Sequence, residues 1–163
     1  MKRNSFFSFH YIPDNWRASQ VRQMGAIDGN PPVSDNDWEK VKGGGEQAIK
    51  NWISGQMTGK TCIVVLAGKE AANRKWINHE ISEGWRLGKG VLAVAIHNLK
   101  DSSGSQTSAG SNPLEYVTAG GKKLSTLAKF YSPPSTSTAC YSHIKDNLAA
   151  WVEEAITIRA KQP

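Results

Sequence analysis

Three continuous runs of apolar residues predict strands that are buried on both faces. They extend over Ser5–Tyr11, Thr61–Ala67 and Val91–Ile96. Gly68 ends the second run, and His97-Asn98 ends the third. Runs of this length without alternation are typical of a parallel sheet that is covered by helices on both sides.

Between and after these runs, the chain shows the helical period of apolar positions. The predicted helices are Asn15–Met24 (after a cap signal at Asp14), Glu46–Met57, Asn73–Lys89 and Ser142–Lys161. Strands that alternate with helices of this length predict right-handed βαβ crossovers. The expected fold is therefore α/β, with an open, mainly parallel sheet flanked by helices, in a single domain over residues 1–163.

Two long stretches carry no clear period. Asp28–Gly45 is rich in proline and glycine, and predicts a long loop with one short turn of helix. Asp101–Pro134 is rich in serine, threonine and glycine, with one weak strand candidate at Leu127–Tyr131. The three glycines Gly43–Gly45 are compatible with a flexible loop or with a phosphate cradle before the second helix, but no Lys-Ser/Thr follows, which excludes a P-loop.

Composition and length describe an ordinary globular domain, with 163 residues of which 39% are hydrophobic. No apolar stretch approaches the roughly 20 residues of a membrane span. The start Met1-Lys2-Arg3 leads into the first strand without the features of a signal peptide. Cys62 and Cys140 do not make a disulfide framework. We therefore expect a reduced, cytoplasmic protein with no membrane partner.

The net charge of +6 comes from basic residues that are scattered along the chain, with no block of five or six like charges. This pattern indicates a solvated surface with a basic bias or an anionic small ligand, and argues against a nucleic acid partner. The histidines and cysteines show no metal-ligand spacing, so no metal site is predicted.

The first apolar run ends on Ser8-Phe9-His10-Tyr11, and Pro13-Asp14 then turns the chain toward a helix. Ligands of open α/β sheets bind beyond the carboxyl ends of the strands. A strand end of small polar and aromatic residues therefore predicts a pocket wall. The alternative is that Phe9 and Tyr11 pack in the core while His10 is a solvated edge.

Glu80 is an acid inside the apolar arc of the third predicted helix. At about 100° per residue it lies about 40° from Trp76, in the arc that also holds Ile77 and Ile81. A buried carboxylate is costly without partners. Glu80 is therefore either a structural acid paired with Arg74 or a loop lysine, or a functional acid at the mouth of a cleft, and we favour the second interpretation.

The segments "FFSFHY", "TCIVVLAGKEAANRKWINHEI" and "GSNPLEY" together resemble the TIR-like proteins of bacterial Thoeris anti-phage systems, over roughly residues 3–117. Trp76-x-x-x-Glu80 resembles an element of TIR domains that have NAD hydrolase or cyclase activity. Two features depart from the pattern, since Ile77 stands where a cysteine often follows the tryptophan, and the loop after the second strand is not matched. The resemblance implies a flavodoxin-like, TIR-like fold.

The resemblance further implies a sensor enzyme that cleaves NAD+ at the nicotinamide–ribosyl bond and makes a cyclic ADP-ribose-type signal. NAD+ is then the substrate and no cofactor is required. Glu80 is the implied catalytic residue, and the implied substrate-binding residues are Ser8, Phe9, His10, Tyr11 and Trp76. The implied partners are a phage-derived trigger, a separately encoded effector reached through a diffusible nucleotide, and a further copy of the chain in a homo-oligomer.

A second class of function stays open at this point. TIR-like folds also serve as non-catalytic scaffolds for protein–protein interaction, and the six tryptophans of this chain would suit that role. Release of nicotinamide from NAD+ separates the two classes.

Overall fold

A computed structural model describes residues 3–29 and 41–163. Its strands are β1 Asn4–Phe9, β2 Asp28–Gly29, β3 Cys62–Ala67, β4 Gly90–Ala95, β5 Thr118–Ala119, β6 Lys122–Lys123 and β7 Phe130–Tyr131. Its α-helices are α1 Tyr11–Gln23, α2 Glu46–Met57, α3 Lys75–Arg86 and α4 Ser137–Ala160. Two 3₁₀ helices, Pro113–Tyr116 and Leu124–Thr126, lie in the connection between β4 and β7. None of the helices in these residues is both long enough and apolar enough to cross a bilayer.

Within the described residues, five strands form one sheet in the order β2-β1-β3-β4-β7, and every neighbouring pair is parallel. This is the flavodoxin-like order, which confirms the predicted α/β class. The chain leaves β1 toward β2 on one side and later returns to β3 on the other. In sheets of this order, the ligand crevice opens at this reversal, beyond the carboxyl ends of the central strands.

The sheet separates two hydrophobic layers because successive side chains of a strand point to opposite faces. Phe7 packs with α1 and α4, in a core that includes Val64, Leu92 and Leu148. Phe6 packs with α2 and α3 on the other face. Ser8 lies two residues after Phe6 and therefore faces the α2–α3 layer.

The structure corrects the predicted junction after the first strand. β1 ends at Phe9, His10 precedes the helix, and Tyr11 is already the first residue of α1. The backbone N–H of Asp14 donates to the carbonyl oxygen of His10 at 3.1 Å, so Asp14 lies inside the first turn and does not cap the helix. Pro13 does not break the chain either, because the N–H groups of a first helical turn have no intrahelical partner to lose.

The other predicted elements differ mainly at their ends. The bounds of α2 are as predicted, and β3 and β4 each lie within one residue of the predicted runs. α3 is shorter than its apolar period, and α4 begins five residues earlier than predicted, at Ser137. Thr136 caps α4, because its hydroxyl oxygen accepts a hydrogen bond from the backbone N–H of Ala139 at 3.2 Å.

The structure describes part of the first long stretch without period and all of the second. Asp28–Gly29 forms the edge strand β2, and residues 30–40, where a helical turn was expected, lie outside the described residues. The expected strand at Leu127–Tyr131 is present as the shorter β7. The chain before it forms the β5–β6 hairpin and the two 3₁₀ helices, which the sequence pattern did not predict.

Candidate active site

A cavity of about 630 Å³ opens beyond the carboxyl end of β1. Its walls come from β1, the start of α1, one side of α2 and the first two turns of α3. The volume lies within the range of about 300–1,000 Å³ that is typical of small-ligand sites. The cavity therefore lies where a sheet of this strand order is expected to bind its ligand.

The cavity wall combines aromatic rings with cationic side chains. The rings belong to Phe6, Phe7, Phe9, Tyr11, Trp52 and Trp76, and the cations are Lys42, Arg74 and Lys75. Phe9 and Tyr11 stack with ring centroids 6.2 Å apart. The Nζ atom of Lys75 lies 5.1 Å from the ring centroid of Trp76. Such a wall suits a ligand that has both flat rings and anionic groups.

Glu80 lies on the buried side of α3, where its side chain is 9% exposed. The close approach of α3 to the sheet requires Gly84, because a Cβ atom there would lie 2.3 Å from Cγ1 of Ile63 on β3. This packing brings the carboxyl of Glu80 to the cavity wall. The hydroxyl of Ser8 donates a hydrogen bond to Oε1 of Glu80 at 3.1 Å.

Burial raises the pKa of Glu80 to about 8, although the hydrogen bond from Ser8 acts in the opposite direction. Within residues 3–29 and 41–163, Glu80 forms no salt bridge, since Arg74 pairs instead with Glu70 and Lys75 with Glu46. The interpretation of Glu80 as a structural acid paired with Arg74 is therefore wrong. Without a ligand, the carboxyl is mostly protonated at neutral pH.

His10 lies at the cavity wall directly after β1. Its pKa is lowered by burial and by the positive charge of Arg74, so the imidazole is neutral at pH 7. The Nδ1 atom is buried and has no hydrogen-bond partner among the described residues. His10 as a whole is half-buried, and the neighbouring Phe9 packs against the core on the α1 side of the sheet.

The structure brings five of the six predicted site residues to one cavity. Its lining includes Phe9, His10, Tyr11, Trp76 and Glu80. Ser8 is fully buried and touches Glu80 instead of lining the cavity. The described residues contain no group of three or more histidine, cysteine or acidic side chains that could hold a metal ion. The functional roles of the six residues stay predictions.

The contribution of α2 to this cavity was missed in the sequence. The helical period over Glu46–Met57 predicts an apolar stripe of Ile49, Trp52 and Ile53, but a stripe that faces a core and one that faces a cavity have the same period. Lys42 and Gly45, just before α2, also line the cavity. The sequence signal for this part of the wall is the glycine run Gly43–Gly45. Gly45 adopts a φ of +85° at the start of α2, a conformation that favours glycine.

A second buried polar cluster, also unpredicted, lies between α1 and the loop after β4. Arg17 is 2% exposed and donates to the carbonyl oxygens of Leu99 at 2.8 Å and Ser105 at 2.9 Å. It also pairs with Asp14, whose pKa burial raises to about 6 despite the guanidinium. The cluster ties the loop after β4 to α1, and thereby holds the start of α1 next to the cavity.

Comparison with known proteins gives two findings. A family model described as Thoeris protein ThsB, TIR-like domain, matches residues 6–101. A protein of Bacillus cereus strain MSX-D12 named "Putative cyclic ADP-D-ribose synthase ThsB1" is 30% identical over 122 residues, which cover 72% of this chain and 64% of the relative. The chain thus spans less than two thirds of that relative's length. The family match includes β1 from Phe6 onward, the cavity and Glu80, and it confirms the resemblance: the chain belongs to the Thoeris ThsB family and carries its TIR-like domain.

Proposed function

We propose that this protein cleaves NAD+ at the bond between nicotinamide and ribose and forms a cyclic ADP-ribose-type product for anti-phage signalling. The observation that carries the proposal is the carboxyl of Glu80, which is buried in the wall of a ligand-sized cavity with Ser8 as its hydrogen-bond partner. The family match and the name of the relative, a cyclic ADP-D-ribose synthase, support this reaction and product.

The reaction needs no general acid from the protein, because the nicotinamide of NAD+ is already a cationic leaving group. The C–N bond to ribose breaks, and its electron pair moves to the nicotinamide nitrogen, which loses its positive charge. The ribose carbon is left as an oxocarbenium-like centre. A carboxylate beside that centre stabilises the developing charge, as in glycoside hydrolysis but without a separate general acid.

The buried state of Glu80 fits this role once the substrate is bound. The cationic nicotinamide ring next to the carboxyl lowers its pKa, because an opposite charge at short range favours the ionised form. The proton of Glu80 is then released as the ligand binds. In this arrangement, the low-polarity wall makes the remaining carboxylate more effective, since few other dipoles compete for the ribosyl charge.

The rest of the cavity supplies binding groups for a dinucleotide. Tyr11 and Trp76 offer faces on which flat rings can stack, and Arg74 can face a phosphate. The neutral imidazole of His10 can accept a hydrogen bond from a ribose hydroxyl. A hydroxyl of the same molecule then attacks the oxocarbenium centre, and its proton passes to the carboxylate of Glu80. This closes the ring and gives the cyclic product instead of ADP-ribose.

Nicotinamide release from NAD+ tests the proposal directly. Glu80→Gln keeps the size of the side chain and removes its charge, and should lower turnover by about 10²–10³. Glu83→Gln is the matched control, because Glu83 lies on the same helix but pairs with Arg86 away from the cavity, and its turnover should stay near wild type. Equal turnover of wild type and Glu80→Gln, under conditions where wild type is active, would remove Glu80 from the mechanism.

The product is proposed to act at a distance. A phage-derived trigger switches the enzyme on, alone or as a homo-oligomer, and the released nucleotide activates a separately encoded effector. Protein-free filtrate of triggered wild-type cells should therefore activate the effector, and filtrate of Glu80→Gln cells should not.

The scaffold function is the competing proposal. It is favoured by one observation, the exposure of Ile12 (87%) and Trp16 (57%) on one side of α1. The scaffold function would be supported if the wild-type filtrate is inert and the Glu80→Gln protein activates the effector by direct contact.

A further inference from the structure

We propose that Ser8 is a positioning residue, which orients the carboxyl of Glu80 and does not itself touch the substrate. The inference rests on the proposed function of the cavity and deepens it. It replaces the expectation that Ser8 binds substrate with a role that acts through Glu80.

The geometry separates Ser8 from the ligand space. Its side chain is 0% exposed and is not part of the cavity wall, whereas Glu80 lies in that wall. The Ser8 hydroxyl donates to Oε1 of Glu80 at 3.1 Å, across 72 positions of sequence. A substrate in the cavity therefore meets the carboxyl, and the hydroxyl lies behind it.

The strand gives this hydroxyl a fixed position. Ser8 pairs with Val65 in the β1–β3 ladder, and both residues are fully buried. One oxygen of Glu80 is thus tied to β1, the neighbour of the central strand β3, while Oε2 accepts no hydrogen bond from a side chain of the described residues and is left for the ligand. Fixing a catalytic carboxyl from behind reduces the freedom it must lose in the transition state.

The hydrogen bond also favours the ionised carboxyl, because a hydroxyl can donate to a carboxylate oxygen. It opposes the effect of burial, which raises the pKa of Glu80. Removing the hydroxyl should therefore raise that pKa further. If turnover requires the ionised form, the acidic limb of the pH–rate profile then moves to higher pH.

The test compares Ser8→Ala with Ser5→Ala. Ser5 is a matched control because it lies on the same strand, is equally buried, and its Oγ has no hydrogen-bond partner among the described residues. Ser8→Ala should lower kcat for NAD+ about 10-fold or more at pH 7, from the loss of a hydrogen bond to a charged group. KM should change little, and turnover should recover partly as the pH rises. Ser5→Ala should keep the wild-type profile.

Two further variants keep the test decisive. Ser8→Thr restores a hydroxyl and should return the profile toward wild type. Ser8→Cys provides a weaker donor of similar size, and should give an intermediate profile; it replaces Ser8→Ala if circular dichroism shows that the alanine variant does not fold. A rise in KM with an unchanged pH profile would overturn the proposal, because it would make Ser8 a substrate contact.

A measurement without NAD+ distinguishes failure of this inference from failure of the proposed function. Infrared difference spectra against Glu80→Gln follow the protonation of the Glu80 carboxyl directly. The titration midpoint should be higher in Ser8→Ala than in wild type or Ser5→Ala. A protein that never releases nicotinamide but shows this shift would refute the NAD+ reaction and keep the Ser8–Glu80 coupling, whereas an unchanged midpoint would refute the coupling whatever the activity.

Discussion

Replacing Glu80 by glutamine should make the protein more stable at neutral pH. Glutamine is uncharged at every pH, and its side-chain oxygen can still accept the hydrogen bond from Ser8. Wild-type Glu80 instead has a pKa of about 8 in the folded protein, against an ordinary value of 4.5. The cause is burial, which penalises the charged form.

The sign and size of the effect follow from proton linkage. Between the ordinary pKa and the raised one, the folded protein holds a proton on Glu80 that the unfolded chain has released. The free energy of unfolding of wild type must therefore fall as the pH rises through this window. At 1.36 kcal/mol per pKa unit, the contribution of Glu80 falls by about 3 kcal/mol between pH 4 and pH 7.

The assay is urea denaturation followed by circular dichroism at several pH values between 4 and 8.5. The stability of Glu80→Gln relative to wild type should increase steadily across this range. Glu83→Gln is the control with the opposite sign, because the nearby Arg86 lowers the pKa of Glu83. Its wild-type carboxylate stabilises the fold above its ordinary pKa and loses that contribution on acidification, so Glu83→Gln should gain no stability at neutral pH.

A constant difference between wild type and Glu80→Gln from pH 5 to pH 8 would refute this reasoning. It would mean that the unfolded and folded proteins hold the same number of protons at Glu80. The carboxyl would then be ionised in the free protein and stabilised by a charge or by solvent, and the description of a desolvated carboxyl would be wrong.

The remaining predictions concern the buried polar cluster and the backbone around it. Arg17→Met should lower the free energy of unfolding by about 2–4 kcal/mol at neutral pH, because Asp14 and two loop carbonyls lose their donor; an unchanged urea midpoint would contradict the buried network. Gly68→Ala should cost about 1–3 kcal/mol, since the added Cβ would lie 2.1 Å from Oδ2 of Asp14. Gly55→Ala is the matched control, because an added Cβ at this position of α2 would meet open space, and it should stabilise the fold by about 0.5–1 kcal/mol. Thermal unfolding measures both variants, and equal effects of the two substitutions would refute the close contact at Gly68.

Much of the fold could be predicted from local pattern, because a strand that is buried on both faces consists of consecutive apolar residues. The runs that became β3 and β4 are apolar throughout, and each is bounded by residues that end strands. The stripe of α2 was predicted with its full bounds for the same reason. Element ends were less predictable, as the earlier starts of α1 and α4 show. A helix end depends on single hydrogen bonds, such as that of Thr136 with Ala139, and not on a repeated signal.

The candidate site likewise has one part that local pattern predicted and other parts that it did not. The position of Glu80 inside an apolar arc could be read from the helical period, since one carboxylate among apolar neighbours is a local anomaly. The role of α2 in the cavity wall could not be predicted from its apolar stripe, because a stripe that faces a core and one that faces a cavity have the same period. The buried pair of Asp14 and Arg17 was likewise hidden, as most of the groups that surround it come from the loop after β4 and from the end of β3.

By itself, the sequence determined the types of the main helices and strands, the α/β class, the family resemblance and the acid at position 80. These are properties of short segments, in which side-chain period and turn residues act within a few positions of each other. Only the tertiary structure decided that the Ser8 hydroxyl donates a hydrogen bond to Glu80 and that α2 lines the cavity together with Trp76. Both depend on the strand order, which places β1 next to β3 and brings together residues far apart in the chain, and a distant contact of this kind leaves no period in the sequence around either partner.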